Sequence, residues 1–260
     1  MILSFARMWP SAVYRVPPPG LLPPPADDGR EMDAPLFNVT LRHRLRVPVY
    51  GEDTFCPCCG QVLDKWGDHA LTCACSWDRT IRHNAVRNVC FDMAVEAGLR
   101  PDREKAGLLP ARPPSDGLPS GAGRRPADVW LPRGSSGRGD ALHFAVTSGM
   151  RRVFQQYERT KREFQGTGQA CEAAGFRFVP MVLEAHAGGF SGLMRATLDW
   201  VSRQAAETQH ENHGIIALKI AQRISIALHR ENARVVLKRA VVPEVSPQPT
   251  GWDDPGDRWH

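Results

Sequence analysis

Arg124-Arg125-Pro126-Ala127-Asp128-Val129-Trp130-Leu131, a glycine-rich loop, and then Ala141-Leu142-His143-Phe144-Ala145-Val146-Thr147-Ser148 form the stretch that decides the fold. Two short apolar runs bounded by Gly, Pro and Ser read as adjacent strands joined by a polar hairpin loop. Asp128 sits in the first of them, beside Val129, Trp130 and Leu131. A buried carboxylate is costly without a partner, so a metal or a cation is expected next to it. The plain alternative is a strand-end aspartate that caps a turn.

Outward from the hairpin, a basic helix is predicted from about Val153 to Ala174, carrying Phe154, Tyr157, Glu158, Lys161, Phe164 and Cys171, with Gly175 as its stop. Phe178 to Glu184 reads as a buried strand whose Pro180 is easiest to place at an edge or bulge. Upstream, Ile81, Ala85, Val89 and Met93 recur at helical spacing, widened by Val86, Cys90 and Ala97. They predict a helix from about Asp78 to Ala97 that Gly98 ends. Its first half carries Arg79, Arg82, His83 and Arg87, which are candidate phosphate contacts or simply a solvated face. Glu104 to Leu109 is predicted as a further strand and 110–125 as a Pro/Gly-rich basic loop. Helix, strand, hairpin, helix, strand is the order of an α/β core, a small mixed sheet flanked by helices.

The densest local signal lies ahead of this core. Cys56 and Cys59 have the C-x-x-C spacing with which one tight turn delivers two thiolates to one metal, and Gly60 relieves that turn. His69 and Cys73 are four residues apart. If Asp68 caps a helix there, both lie on one face. Four N/S ligands suit tetrahedral zinc with no open position, hence a structural site. Cys58 and Cys75 are alternative ligands at this stage.

Composition bounds the rest. The chain has 260 residues, 33 Lys+Arg against 28 Asp+Glu, a net charge of +5, 22 Pro and 23 Gly. That mild basicity permits a nucleic-acid partner without requiring one. No apolar run approaches a membrane span, and Arg7 and Pro10 interrupt a secretory signal. Seven cysteines, four of them between Cys56 and Cys73, favour metal binding in a reducing compartment, nuclear or cytoplasmic, over disulfides.

The predicted organisation is a Pro-rich leader over 1–34, a small zinc module over 35–76, the α/β domain over 77–240 and a tail over 241–260. Within the module, Phe37 to Val47 is a basic segment that reads equally as strand or helix. Leu193, Leu198 and Val201 predict a short helix with Trp200 beside its apolar face. Ile215, Leu218, Ile220, Ile224 and Leu228 predict a longer one, with Arg223, Arg230, Arg234, Lys238 and Arg239 on a solvated side.

Taken together, these motifs resemble the C-terminal region of reverse-transcriptase proteins from non-LTR retrotransposons of the restriction-like-endonuclease class. The carriers are Cys56-x-x-Cys59…His69-x-x-x-Cys73, Arg82-His83-Asn84, Arg125-Pro126-Ala127-Asp128, Leu142–Ser148, Tyr157-x-x-x-Lys161 and Phe178–Glu184. The resemblance covers about Phe37 to Arg239. It implies a CCHC zinc knuckle ahead of a restriction-endonuclease-like PD-(D/E)xK domain, detached from its polymerase. It also implies DNA, or RNA, as the partner; no particular protein partner is indicated.

In that family two carboxylates hold Mg²⁺ or Mn²⁺ at the scissile phosphate and a lysine stabilises developing charge. The resemblance makes Asp128 the first acid and Lys161 the lysine. Position 143 should carry the second acid, but this chain has His143, and imidazole is a poor ligand for Mg²⁺. Asp140 lies at an odd offset on the strand, pointing to the opposite face. Glu184 and Glu158 are the remaining carboxylates that could compensate. The expectation is a nucleic-acid-binding protein whose nuclease centre is degraded. The alternatives are an active metal-dependent endonuclease that nicks DNA, and a non-catalytic adaptor or retroelement remnant.

Overall fold

Val129, Trp130 and Leu131 pair antiparallel with Leu142, Ala141 and Asp140, so the predicted hairpin forms, with strands β4 (Val129–Leu131) and β5 (Asp140–Thr147). The computed structural model describes residues 31–75, 77–110, 126–147, 152–186 and 188–240. Ahead of the hairpin come α1 (Ala34–Arg44), β1 (Thr54–Phe55), β2 (Val62–Leu63), α2 (Asp68–Thr72), α3 (Asp78–Glu96) and β3 (Asp102–Arg103). After it come α4 (Arg152–Glu163), α5 (Thr167–Ala173), β6 (Arg177–Glu184), α6 (Gly192–Gln209) and α7 (His213–Arg239).

The sheet order is β3-β4-β5-β6; β3, β4 and β5 run antiparallel and β6 pairs parallel to β5. This is a mixed four-stranded sheet flanked by helices, as the order of elements predicts. β6 is an edge strand, which accommodates Pro180 without costing a ladder hydrogen bond. Strand alternation sends Val129, Leu131, Leu142, Phe144, Val179 and Met181 to one side, where α3, α6 and α7 bury them. Ala141, Phe178, Ala145 and Val182 face the other way, toward α4 and α5. The hairpin loop needs its glycines. A Cβ on Gly134 would stand 2.0 Å from the Asp140 carboxylate, and one on Gly139 2.1 Å from the Trp130 ring.

Several predicted boundaries shift for physical reasons. Of Phe37 to Val47, the part up to Arg44 resolves as the helix α1, started by Pro35 in its first turn, and Leu45 caps its end. The predicted strand from Glu104 to Leu109 is instead the two residues Asp102–Arg103, and Glu104 turns away at φ 44°. The single helix predicted to Ala174 is two, because Gln165 and Gly166 take left-handed backbone angles between α4 and α5. Phe164, at that break, is exposed. On α3 the buried stripe is rotated: Arg82, Val86, Cys90 and Met93 face inward while Ile81 is 50% exposed. Ser191 caps α6, accepting from the Met194 N–H, and Asn212 caps α7, accepting from Gly214 and Ile215.

The stretch predicted as a zinc module shares a core with the end of α7. Leu36, Val39, Leu63, Ala70 and Leu71 pack with Ala233, Val235 and Val236. Gly67 makes this approach possible: at φ 81° its missing Cβ would stand 2.9 Å from Val49 and 3.3 Å from Val236. The leader predicted over 1–34 falls outside the described residues except for its last four, and the tail predicted over 241–260 and most of the 110–125 loop fall outside them too. Among the described residues no helix is long and apolar enough to cross a membrane.

Candidate functional site

Among the described residues, Cys56, Cys59, His69 and Cys73 bring one ligand atom each within 4.8 Å of one another. The β1–β2 hairpin delivers the first two: Cys56 N–H donates to Gln61 and Gly60 N–H to Cys56, with Gly60 at φ 71°. α2 delivers the others, Cys73 N–H donating to the His69 carbonyl one turn away. The capping residue is Asp64, not Asp68. Its carboxylate accepts the N–H groups of Trp66, Asp68 and His69 at 3.0, 3.1 and 2.7 Å, and Gly67 occupies the N-cap position. Cys58 and Cys75 are exposed and stand outside the group.

Cys59 Sγ is 3.2 Å from His69 Nε2 and Cys56 Sγ 4.0 Å from Cys73 Sγ. Two sulfurs on a tetrahedral zinc stand about 3.8 Å apart, so the cluster can hold such an ion with small adjustments. Burial opposes ionisation of Cys56, but the N–H groups of Cys58 and Cys59 and the His69 ring bring its thiol down to about 6. Cys59 receives help from the Gln61 backbone, yet burial and the neighbouring Cys56 and Cys73 push it up to about 11. Three thiols this close ionise together only if a cation joins them. Arg239, fully buried, supplies one positive charge at the rim. Burial works against its charge, but hydrogen bonds to Cys73, Asp78 and Cys56 hold it more firmly than in water. Its 2.8 Å pair with Asp78 corrects the expectation of a solvated side for this residue.

The second candidate centre is at Asp128. Asp128 stands just ahead of β4, whose pairing begins at Val129↔Leu142, and its N–H donates to the Leu142 carbonyl. Asp128 Oδ2 accepts the Phe144 N–H at 2.6 Å and His83 Nε2–H at 3.2 Å, and His143 Nδ1 lies 3.3 Å away. Burial alone would raise the Asp128 carboxyl. The His83 hydrogen bond, the charges of His143 and His83, and the Phe144 N–H outweigh it and lower the pKa. The hydrogen bond to Asp128 raises His83, whereas burial lowers His143, assisted by the Lys161 ammonium. Lys161 Nζ itself lies over the Tyr157 ring, 5.5 Å from its centroid.

Glu184 stands apart from it. It pairs with Thr147, while His143 pairs with Pro180, four residues back along β6 and roughly 13 Å away. Its carboxylate accepts from His186 instead, at the backbone N–H (2.7 Å) and Nδ1 (3.0 Å). Asp140, fully buried, is forked by Arg177 at 2.9 and 2.7 Å. Neither is a second acid beside Asp128.

The basic residues of α3 divide in three ways. Arg82 turns inward at 5% exposure, donating to Asn232 Oδ1 (2.9 Å) and the Leu71 carbonyl (3.0 Å), so it is a structural cross-link and no phosphate contact. His83 serves Asp128, and Arg87 pairs with Glu104 at 2.5 Å. Arg79 alone of the four is exposed, donating to the Thr72 carbonyl. The sequence signal for Arg82 was present in the rotated stripe: 82, 86, 90 and 93 are themselves spaced as one helix face.

Comparison with family models, with curated proteins and with solved structures returns no match for the chain.

Proposed function

We propose that the protein is a retrotransposon-derived nucleic-acid-binding protein, with a structural zinc knuckle at Cys56, Cys59, His69 and Cys73 and a restriction-endonuclease-like domain that binds without cutting. The observation that supports this reading is His143 Nδ1 at 3.3 Å from Asp128 Oδ2 beside the hairpin, with the Lys161 charge among the influences on His143. Those are the family's positions, with imidazole where the second carboxylate belongs.

The Asp128 donor set does not fit Mg²⁺. That ion asks for hard oxygens in near-octahedral array. Here one carboxylate stands between two imidazoles, and its Oδ2 already faces three nitrogens. At the cysteine group the donors do fit zinc: four soft ligands, closed by Arg239, would hold the ion as a fold element. Bound there, zinc supplies cross-linking and no reaction step. With Arg82 and Arg87 occupied internally, the phosphate-facing charge falls to exposed Arg79 and to exposed Arg159 and Arg162 beside Lys161 on α4.

Plasmid nicking in Mg²⁺ or Mn²⁺ tests the reading, comparing the natural chain, Asp128→Ala and His143→Asp. The expected result is no nicking by the natural chain, together with DNA binding whose affinity falls steeply with salt. Nicking that Asp128→Ala abolishes would establish an active endonuclease instead. Absence of salt-dependent binding would leave the adaptor or remnant reading.

A further inference from the structure

A second set of convergent ligands lies outside both centres. His43 on α1, Asp68 at the start of α2 and His186 just beyond β6 bring their ligand atoms within 4.8 Å of one another. His43 Nε2 stands 3.3 Å and His186 Nε2 3.5 Å from the same oxygen, Asp68 Oδ1. The two rings stack at 5.4 Å with 20° between their planes. Ligands bound tetrahedrally at about 2.0–2.1 Å stand roughly 3.3–3.4 Å apart, which is the spacing observed.

With both imidazoles neutral, the hydrogen bonding at this convergence is incomplete. His43 is 8% exposed, and its buried Nε2 faces Asp68 Oδ1 at 3.3 Å without a well-formed hydrogen bond. His186 Nδ1 faces the Glu184 carboxylate at 3.0 Å and must donate to it. In the neutral ring Nε2 then presents its lone pair to Asp68, an acceptor facing an acceptor. Glu184–His186 thus has the form of the carboxylate–histidine pair that orients metal-ligating imidazoles. Arg46 forks onto Asp68 at 2.8 and 2.9 Å from an exposed position and is the ion's competitor for that carboxylate.

We infer that His43, Asp68 and His186 form a second metal site, for a divalent first-row transition ion, with Glu184 as the residue that positions His186. Two imidazoles and one carboxylate suit Zn²⁺, Co²⁺ or Mn²⁺ better than Mg²⁺ or Ca²⁺. Three protein ligands leave a coordination position for water or for a ligand from outside. Asp68 and His186 are partly exposed, so the ion is reachable. Because its ligands come from α1, α2 and the segment after β6, a bound ion ties the zinc-module stretch to the end of the sheet.

Cobalt titration of the metal-stripped, reduced full chain tests this. The natural chain should take up two Co²⁺ per chain, one giving thiolate-to-cobalt charge transfer from the cysteine group and one giving ligand-field bands alone. The double variant His43→Gln/His186→Gln should take up one, with the charge-transfer band unchanged, which also reports that the cysteine group is folded. Arg46→Gln, which removes the competing guanidinium, should retain the second ion. A natural chain whose bound Co²⁺ gives only the charge-transfer band, or a double variant that keeps an ion without that band, overturns the inference. A missing charge-transfer band with a second ion still lost on His43→Gln/His186→Gln would count against the cysteine reading and not against this one.

Discussion

At the Cys56 group four ligand atoms lie within 4.8 Å of one another, three of them thiol sulfurs that backbone N–H groups and Arg239 approach from outside. At Asp128 the reverse holds: one carboxylate oxygen is met by a backbone N–H and two imidazoles, so the charge is compensated by protein. The two centres lie in one chain, and both were marked by residue types that serve metals. The difference teaches that ligand identity is not enough. A metal site is a set of acceptors left facing each other, whereas a carboxylate surrounded by donors is a hydrogen-bonded anchor.

The contrast breaks first at the cysteine group. Cys56→Ser or Cys73→Ser should abolish metal binding and unfold residues around α2, because a structural zinc contributes on the order of 10 kcal/mol of binding free energy. Hydrogen exchange over Asp64–Thr72 reads this directly; protection that survives chelation would remove the group from the list of fold elements. At Asp128 chelation should change nothing in stability.

Next in size is Arg82→Ala, which strands the Leu71 carbonyl and Asn232 at the junction of module, α3 and α7. Loss of a buried, doubly bonded guanidinium costs about 2–4 kcal/mol, read as a lowered urea midpoint. An effect within ±0.5 kcal/mol would return Arg82 to the surface and to phosphate binding. Gly67→Ala should cost about 1–3 kcal/mol, since φ is 81° and the new methyl meets Val49 and Val236. It should weaken the module's docking and leave the Asp128 centre intact.

The smallest effect is a pH dependence at Asp128. His83 is raised above its ordinary value by Asp128, so its stabilising contribution is complete below 6.5 and is lost as pH rises through the raised value. His143 runs the other way: lowered by burial, it contributes above 6.5 and loses that as pH falls through its folded-state value. An NMR titration of the two imidazoles should show them on opposite sides of 6.5. Asp128→Asn should bring His83 down, and two coincident titrations would show that Asp128 does not distinguish them.

How much of this was legible depends on the range of the interaction. The C-x-x-C turn and the His69-x-x-x-Cys73 helix are local geometries, and the sequence pointed to all four ligands. The hairpin was legible for the same reason, as two alternating runs around turn residues. The α4–α5 break was less so, because Gln165 adopts a left-handed angle that nothing in its side chain demands. Arg82 was misread since an arginine on an amphipathic helix defaults to solvent, and only the packing of α7 supplies Asn232 to receive it.

The sequence by itself determined the α/β class, the hairpin that follows Asp128, and the cysteine–histidine group, since each rests on short-range spacing along the chain. Only the tertiary structure decided that Asp128 is held by His83 and that His43, Asp68 and His186 meet. Those partners are separated by 45 residues in the first case and by more than a hundred between Asp68 and His186. Such distances are closed by the burial of α7 and the sheet, a collective effect that no local pattern records.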